Sequence, residues 1–204
     1  TKRLESVNVA SNPENRLKFR NSLFSSKSMK TCIGGVILYD ETIKQSVESN
    51  SIPKLISTSS AVTGIKVDTG AKTLSCSKEE KITEGLDGLR ERLKEYYNLG
   101  ARFAKWRGVY IISDKYPSKV AVATNSHALA RFASMVQESG MVPIVEPEVL
   151  MDGIHNSKTC LDKTTEVIKK CFDELILQKV DLKGIILKPN MILPGTASEE
   201  KINS

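Results

Sequence analysis

GIILKPNMI, running from Gly184 to Ile192, is the stretch on which the reading of this chain turns. It reads as a buried strand that carries a lysine, Lys188, where an apolar core has no use for one. The proline that follows restricts Lys188 to extended backbone. Proline cannot donate to a sheet ladder, so Pro189 is expected to mark the strand's last paired position. A lysine at the carboxyl end of a buried strand is where a parallel α/β protein usually keeps its chemistry. A side chain that merely reaches out of the strand end to water is the plainer explanation, and the rest of the chain has to decide.

Four apolar runs precede that stretch: CIGGVILYD (32–40), AVTGIKVDTG (61–70), ARFAKWRGVYII (101–112) and MVPIVEPEVL (141–150). The first is almost continuously apolar, as strands buried on both faces are. Helical signals lie around and between the runs. PENRLKFRNSLF (13–24) has Asn12 as its cap and Pro13 at its first position, with Leu17, Arg20 and Leu23 sharing a face with Phe24. From Thr83 to Asn98, Leu86, Leu89, Leu93 and Tyr96 or Tyr97 recur at helical spacing, and Gly100 is a natural stop. SHALARFASMVQESG (126–140) has a serine cap and a glycine terminator. Thr159 to Gln178 puts Val167, Ile168, Cys171, Leu175 and Ile176 on one inward face. Residues 41–60, which contain Pro53, read as a loop around a short helical piece, and 71–82 as a polar loop.

Strand and helix thus alternate from Cys32 onward, which predicts a parallel sheet with right-handed crossovers. The strand-end charges Lys66, Lys105, Glu146 and Lys188 follow one another at intervals of 39, 41 and 42 residues. So regular a unit favours a (β/α)8 TIM barrel. No Gly-rich dinucleotide fingerprint follows any strand, yet periodicity alone leaves a flavodoxin-like or Rossmann-like sheet as the alternative.

Bulk properties narrow the function. At 204 residues and 40% hydrophobic content the chain can bury a sizeable core, and one domain over 1–204 is expected. No apolar run approaches a membrane span, and residues 1–12 are polar, so no membrane partner is expected. The four cysteines are widely spaced without a CxxC pair, which argues against a zinc ribbon or disulfide scaffold and for a reducing, cytoplasmic setting. Two histidines cannot make a three-histidine metal site. A net charge of +6 suits anionic small molecules, but the lysines are dispersed and without interleaved aromatics, so nucleic acid is not an expected partner.

The chemistry sits in four pairs at i and i+2 near successive strand ends: Lys66 with Asp68, Lys105 with Arg107, Glu146 with Glu148, and Lys188 with Asn190. Residues two apart on a strand share a face, so Val67, Trp106, Pro147 and Pro189 are expected to point the other way. In a barrel all four pairs converge on the carboxyl-end mouth. An ion-pair lattice, with Glu146 and Glu148 balancing Lys105 and Arg107, would account for some of them. Two lysines and a carboxylate in one dry mouth also suit imine formation, because burial and a neighbouring cation release a lysine's lone pair. Lys188 is then the nucleophile, Lys105 the neighbouring cation, and Glu146 the general acid/base, its pKa expected to be raised by burial and by Glu148. Lys66, Arg107 and Arg3 remain to contact a phosphorylated substrate. The residues themselves lead to a Schiff-base lyase acting on an anionic carbonyl compound.

CIGGVIL, GIKVDTG, EGLDGL, ARFAKWR, LARFAS, VPIVEPE and LKPNM, in this order, closely resemble class I fructose-bisphosphate aldolase. The likeness runs from Lys2 to Gly195 and is weakest at 41–60, 71–82 and 110–125. It implies reversible, metal-independent and cofactor-independent cleavage of fructose 1,6-bisphosphate into dihydroxyacetone phosphate and glyceraldehyde 3-phosphate, in glycolysis. It implies Lys188 as the imine-forming lysine and Glu146 as the acid/base, with Glu148 and Lys105 as catalytic neighbours. Lys66, Lys105, Arg107 and Arg3 would contact substrate, as would Arg16, although a helix-surface role fits Arg16 at least as well. A homotetramer is the assembly it implies. Another Schiff-base sugar-phosphate lyase and a non-catalytic aldolase-derived binding protein are the other function classes.

The departures carry equal weight. The family has an ADES-like strand ahead of the KRL stretch, with an essential aspartate and serines. Beyond LKPNM it has two further strands, a Gly/Ser phosphate loop, an arginine and a C-terminal tyrosine. None is present, so the chain is expected to be a fragment holding about strands 2–6 of 8, with open sheet edges. Trp106 is expected to pack sheet against helix, and Cys32, Cys160 and Cys171 to be buried thiols. Asp68 is expected only to orient Lys66, and the loop residue His155 to be solvated.

Overall fold

The structure is a computed structural model describing residues 2–200. After the short α1 (Lys2–Glu5), Asn12 caps α2 (Pro13–Phe24) by accepting from Asn15 N. The α2 face differs from the expected stripe. Phe24 is buried, but Leu23 is exposed, and Arg16 and Arg20 turn inward onto Glu41. The first expected strand is also corrected. Its opening belongs to α3 (Met29–Cys32), only Gly35–Leu38 forms β1, and Cys32, Ile33 and Ile37 are exposed. The inner face of the sheet is open, so the apolar run of β1 is covered on one face alone.

Residues 41–60 are more ordered than a loop: α4 (Asp40–Ile43), an antiparallel ribbon of β2 (Ser46–Val47) with β3 (Asn50–Ser51), and α5 (Ile52–Ser57). Pro53 sits in the first turn of α5, where its missing N–H has no partner to lose. β4 (Val62–Lys66) follows, then a second ribbon of β5 (Gly70–Thr73) with β6 (Lys81–Glu84). That ribbon occupies the expected polar loop and also takes the start of the expected helix. Gly85 and Gly88 have φ of +123° and +61°, which a continuous helix does not admit, so α6 runs only from Leu89 to Asn98. Gly100, at φ +110°, ends it as expected.

Beyond β7 (Phe103–Tyr110), α7 (Lys119–Glu138) begins seven residues earlier than the serine signal at 126 suggests. Its cap is Ser118, which accepts from Ala121 N, and Ser126 is buried mid-helix. β8 (Val142–Val149), α8 (Ser157–Leu177) and β9 (Ile186–Leu187) complete the order. On α8, Val167, Cys171 and Leu175 are buried as expected, whereas Ile176 is exposed.

The main sheet is parallel, in the order β1-β4-β7-β8-β9, each strand beside its predecessor, as in an arc of a barrel. Its outer face carries Leu38, Ile65, Val67, Ala104, Trp106 and Val145, all buried with Leu93, Leu129, Phe132, Val136 and Leu175 of the helices. Each buried Val, Leu, Ile or Phe among them contributes about 1.5–3 kcal/mol. The Trp106 and Phe132 rings meet at 5.6 Å, the sheet-to-helix packing expected of Trp106. The inner face is open. Ile37, Val62, Val142 and Ile186 lie exposed there, and the charged pairs of β7 and β8 lie within the strands rather than at their ends, Lys105 being the third residue of β7 and Glu146 the fifth of β8.

The GIILKPNMI stretch forms only two residues of strand, and Ile186 is exposed rather than buried. β8 supplies the reason. Its even residues bond towards β7, as Val142 N to Arg102 O and Leu150 N to Tyr110 O do; its odd residues bond towards β9, Val145 O accepting from Lys188 N at 2.9 Å. Pro143 and Pro147 occupy two of those odd positions and have no N–H to give. The ladder therefore survives only around Val145.

Candidate active site

Three adjacent strands build the centre of the site. In the β7–β8 register Arg107 lies beside Glu146, and Lys105 lies two residues nearer the amino end, beside Ile144. Ion pairs consequently run diagonally, Lys105 to Glu146 and Arg107 to Glu148. Across the other side of β8, Lys188 donates to Glu146 Oε1, while Lys105 meets Oε2. Glu146 is thus held between two ammonium groups, its side chain 3% exposed against 58% for that of Lys188.

That geometry reverses one expectation. Burial pushes the Glu146 carboxyl up, but the Lys105 and Lys188 ammonium groups outweigh it and hold the group below the ordinary carboxylate value. Glu148 does not raise it, because Glu148 is turned to Arg107. The resting Glu146 is a carboxylate.

Lys66 faces Lys105 in the β4–β7 register and pairs with Asp68, the orienting role expected of that aspartate. Asp68 Oδ1 also accepts from Gly70 N at 3.1 Å, and Lys66 Nζ stands 5.7 Å from the centre of the Tyr39 ring. Arg3 and Arg16 lie apart from the Glu146 cluster. They line a cavity of about 870 Å³ with Phe19, Arg20, Tyr39 and Glu41, beyond the β1 end. Arg16 is engaged there by Glu41 and by Ser11 O, at 2.7 Å.

The Lys188–Asn190 pair does not share a face. β9 ends at Leu187, and the Asn190 side chain turns to β8 and α8 instead of the mouth. Pro189 is exposed, unlike the buried Val67, Trp106 and Pro147. His155 is buried rather than solvated, at 9% exposure, with neither ring nitrogen hydrogen-bonded.

Sequence reasoning missed the residues that brace this arrangement. Arg92 of α6 donates to Val67 O at 2.8 Å and to Gly85 O, tying the segment between Lys66 and Asp68 to the loop before α6. Thr83 Oγ1 donates to Arg107 O at 2.7 Å, and Thr83 N donates to Asn125 Oδ1 at 3.2 Å. One of two arginines in a polar helix and a threonine at the start of an expected helix carry no signal that would single them out. Among the described residues no three His, Cys, Asp or Glu side chains gather as metal ligands. No described helix is long and apolar enough to cross a membrane.

The glycolytic fructose-bisphosphate aldolase class-I family model matches residues 1–204. A probable fructose-bisphosphate aldolase class 1 of Xylella fastidiosa is 47% identical over 201 residues, 98% of this chain and 60% of that relative. Fructose-bisphosphate aldolase 6, cytosolic, of Arabidopsis thaliana is 43% identical over 97% of this chain and 55% of its own length. Among solved structures, Plasmodium falciparum fructose-bisphosphate aldolase, in complex with TRAP and a small-molecule inhibitor, superposes with a TM-score of 0.96 at 40% identity. That match covers 99% of this chain and 59% of the other. The chain therefore spans about 55–60% of the length of these relatives.

Proposed function

This chain belongs to the class-I fructose-bisphosphate aldolase family, and from that premise we propose that the whole protein is a lyase cleaving fructose 1,6-bisphosphate through a lysine imine. The observation that carries the reading is the single carboxylate, Glu146 of β8, held between Lys105 of β7 and Lys188 just beyond β9.

The Lys188–Glu146 hydrogen bond is the route for the first proton. Lys188 passes it to Glu146, and the freed amine attacks the C2 carbonyl carbon. The nitrogen loses a proton, the oxygen gains one, and a neutral carbinolamine results. Glu146 returns its proton to the C2 hydroxyl, which leaves as water, so an iminium remains and the carboxylate is restored. A carboxylate of the mouth, Glu146 or Glu148, takes the C4 hydroxyl proton. The C3–C4 pair flows to the iminium nitrogen, glyceraldehyde 3-phosphate departs, and the enamine of dihydroxyacetone phosphate stays on Lys188. Lys105 keeps Glu146 ionised between these transfers. Lys66, Arg107 and Arg3 supply cationic contacts for the phosphates, with Arg16 contributing from its place beside Glu41.

We take residues 1–204 as one domain of the barrel type and place the whole protein in the cytosol, as the Arabidopsis relative is named. We expect a homotetramer on the family resemblance, which sedimentation would check. Borohydride reduction with dihydroxyacetone phosphate tests the chemistry. The peptide containing Lys188 should gain the adduct mass, and Lys188→Met should abolish it. Adduct on Lys105, or on no lysine, would overturn the assignment.

A further inference from the structure

β8 offers β9 only two backbone donors beyond Pro143, those of Val145 and Val149, because Pro147 has none. On the facing chain Lys188 N, bonded to Val145 O, is the last backbone donor to β8. The lysine therefore sits where the ladder stops, on a strand of two residues at the sheet's edge. Left at that, Lys188 would have a single backbone tether, its own N–H on Val145 O at 2.9 Å.

Asn190 supplies the second. Its Oδ1 accepts from Val149 N at 3.1 Å, taking the place of the backbone carbonyl that the ladder lacks. Its Nδ2 donates to Thr164 Oγ1 of α8 at 3.0 Å, with Cys160 Sγ at 3.9 Å beside it. Thr164 and Cys160 are buried, so the anchor lies in packed structure and not at the surface. One carboxamide thus ties the chain just after Lys188 to the end of β8 and to α8 together. The lysine is flanked by fixed points on both sides, and its Nζ is delivered to Glu146 Oε1.

We infer that Asn190 is a positioning residue for Lys188, its side chain giving β8 a second bond to this chain beside the ladder hydrogen bond that Pro147 cannot make. The inference rests on the imine reading above and deepens it. The segment beyond has its own attachments: Gly195 N, Thr196 N and Ala197 N donate to His155 O, Met151 O and Gly153 O at 2.8, 2.8 and 2.9 Å. Loss of the Asn190 anchor should therefore leave the chain docked while freeing Lys188 to wander by an ångström or so.

The test is rapid-mix borohydride trapping of dihydroxyacetone phosphate by the whole protein, read as trapping rate against substrate concentration. Asn190→Ala should lower the saturating rate by about 10- to 100-fold, the effect of misplacing a reacting group by about 1 Å. The half-saturating concentration should change by less than about 3-fold, because phosphate contacts are untouched. Should Asn190→Ala not fold, Thr164→Val decides. It keeps the Val149 bond, removes the α8 partner, and should slow trapping by roughly 3- to 10-fold without shifting half-saturation. A wild-type trapping rate in either folded variant overturns the inference alone, as does a rate loss matched by equal loss of affinity. Absence of trapping in the unmodified protein overturns the imine reading and this inference with it.

Discussion

α2 has little apolar stripe with which to hold itself to the fold, so its attachment concentrates on one carboxylate. Glu41 accepts from Arg16 Nε at 3.0 Å and from Arg20 Nη1 at 2.7 Å. The Arg16 hydrogen bond, seconded by Arg20, outweighs burial and holds Glu41 at about 2, against an ordinary 4.5. At about 1.4 kcal/mol per pH unit that shift caps the coupling at roughly 3 kcal/mol. The Glu41 side chain is 35% exposed, and solvent screening reduces the expected contribution to about 1–2 kcal/mol. Because the folded value is depressed, the stabilisation is fully present above pH 4.5 and is lost as pH falls towards 2. Glu41→Gln keeps the shape and removes the charge. Urea unfolding of both proteins over a pH series should show a gap of about 1–2 kcal/mol at pH 7 that closes over that window. Other carboxylates titrate in the same range, but they are common to both proteins and cancel in the difference. No gap at pH 7, or a gap unchanged at low pH, would refute the clamp.

Glu146→Gln should slow imine trapping by about 10²–10⁴, since the carboxamide can neither take the Lys188 proton nor return one to the carbinolamine; single-turnover trapping measures it. Phe132→Ala removes a fully buried ring stacked on Trp106 and should lower stability by about 3–5 kcal/mol in chemical denaturation, with a changed tryptophan emission. At Gly195 a Cβ would stand 2.2 Å from Gly153 O, a backbone atom that cannot swing aside. Gly195→Ala should accordingly lower stability by about 1–3 kcal/mol and speed hydrogen exchange at Thr196 and Ala197.

Much of the framework was legible because it rests on local pattern. Apolar outer residues alternating with charged inner ones mark β7 and β8, and the Asn12 and Gly100 signals act where they stand. The helix expected over 83–98 shows the limit: its leucine spacing is real from Leu89 onward, but Gly85 and Gly88 break it and leave Lys81–Glu84 to pair with Gly70–Thr73. A hairpin partner eight to fourteen residues away competes with helix, and only tertiary contact, here Thr83 on Arg107 O and Asn125, resolves the contest.

By itself the sequence determined which residues have chemistry to offer and roughly where. Lys66, Lys105, Glu146 and Lys188 stand on, or one residue past, successive strands because strand periodicity is local and proline's missing donor is covalent. The tertiary structure decided how they are joined. Strand stagger sets Glu146 diagonally from Lys105 and sends Glu148 to Arg107. It turns Asn190 away from the mouth to become an anchor, and it decides the direction of the Glu146 shift. Those outcomes depend on distances between strands about 40 residues apart in the chain, and electrostatic balance between burial and two ammonium groups is settled only when those distances are set.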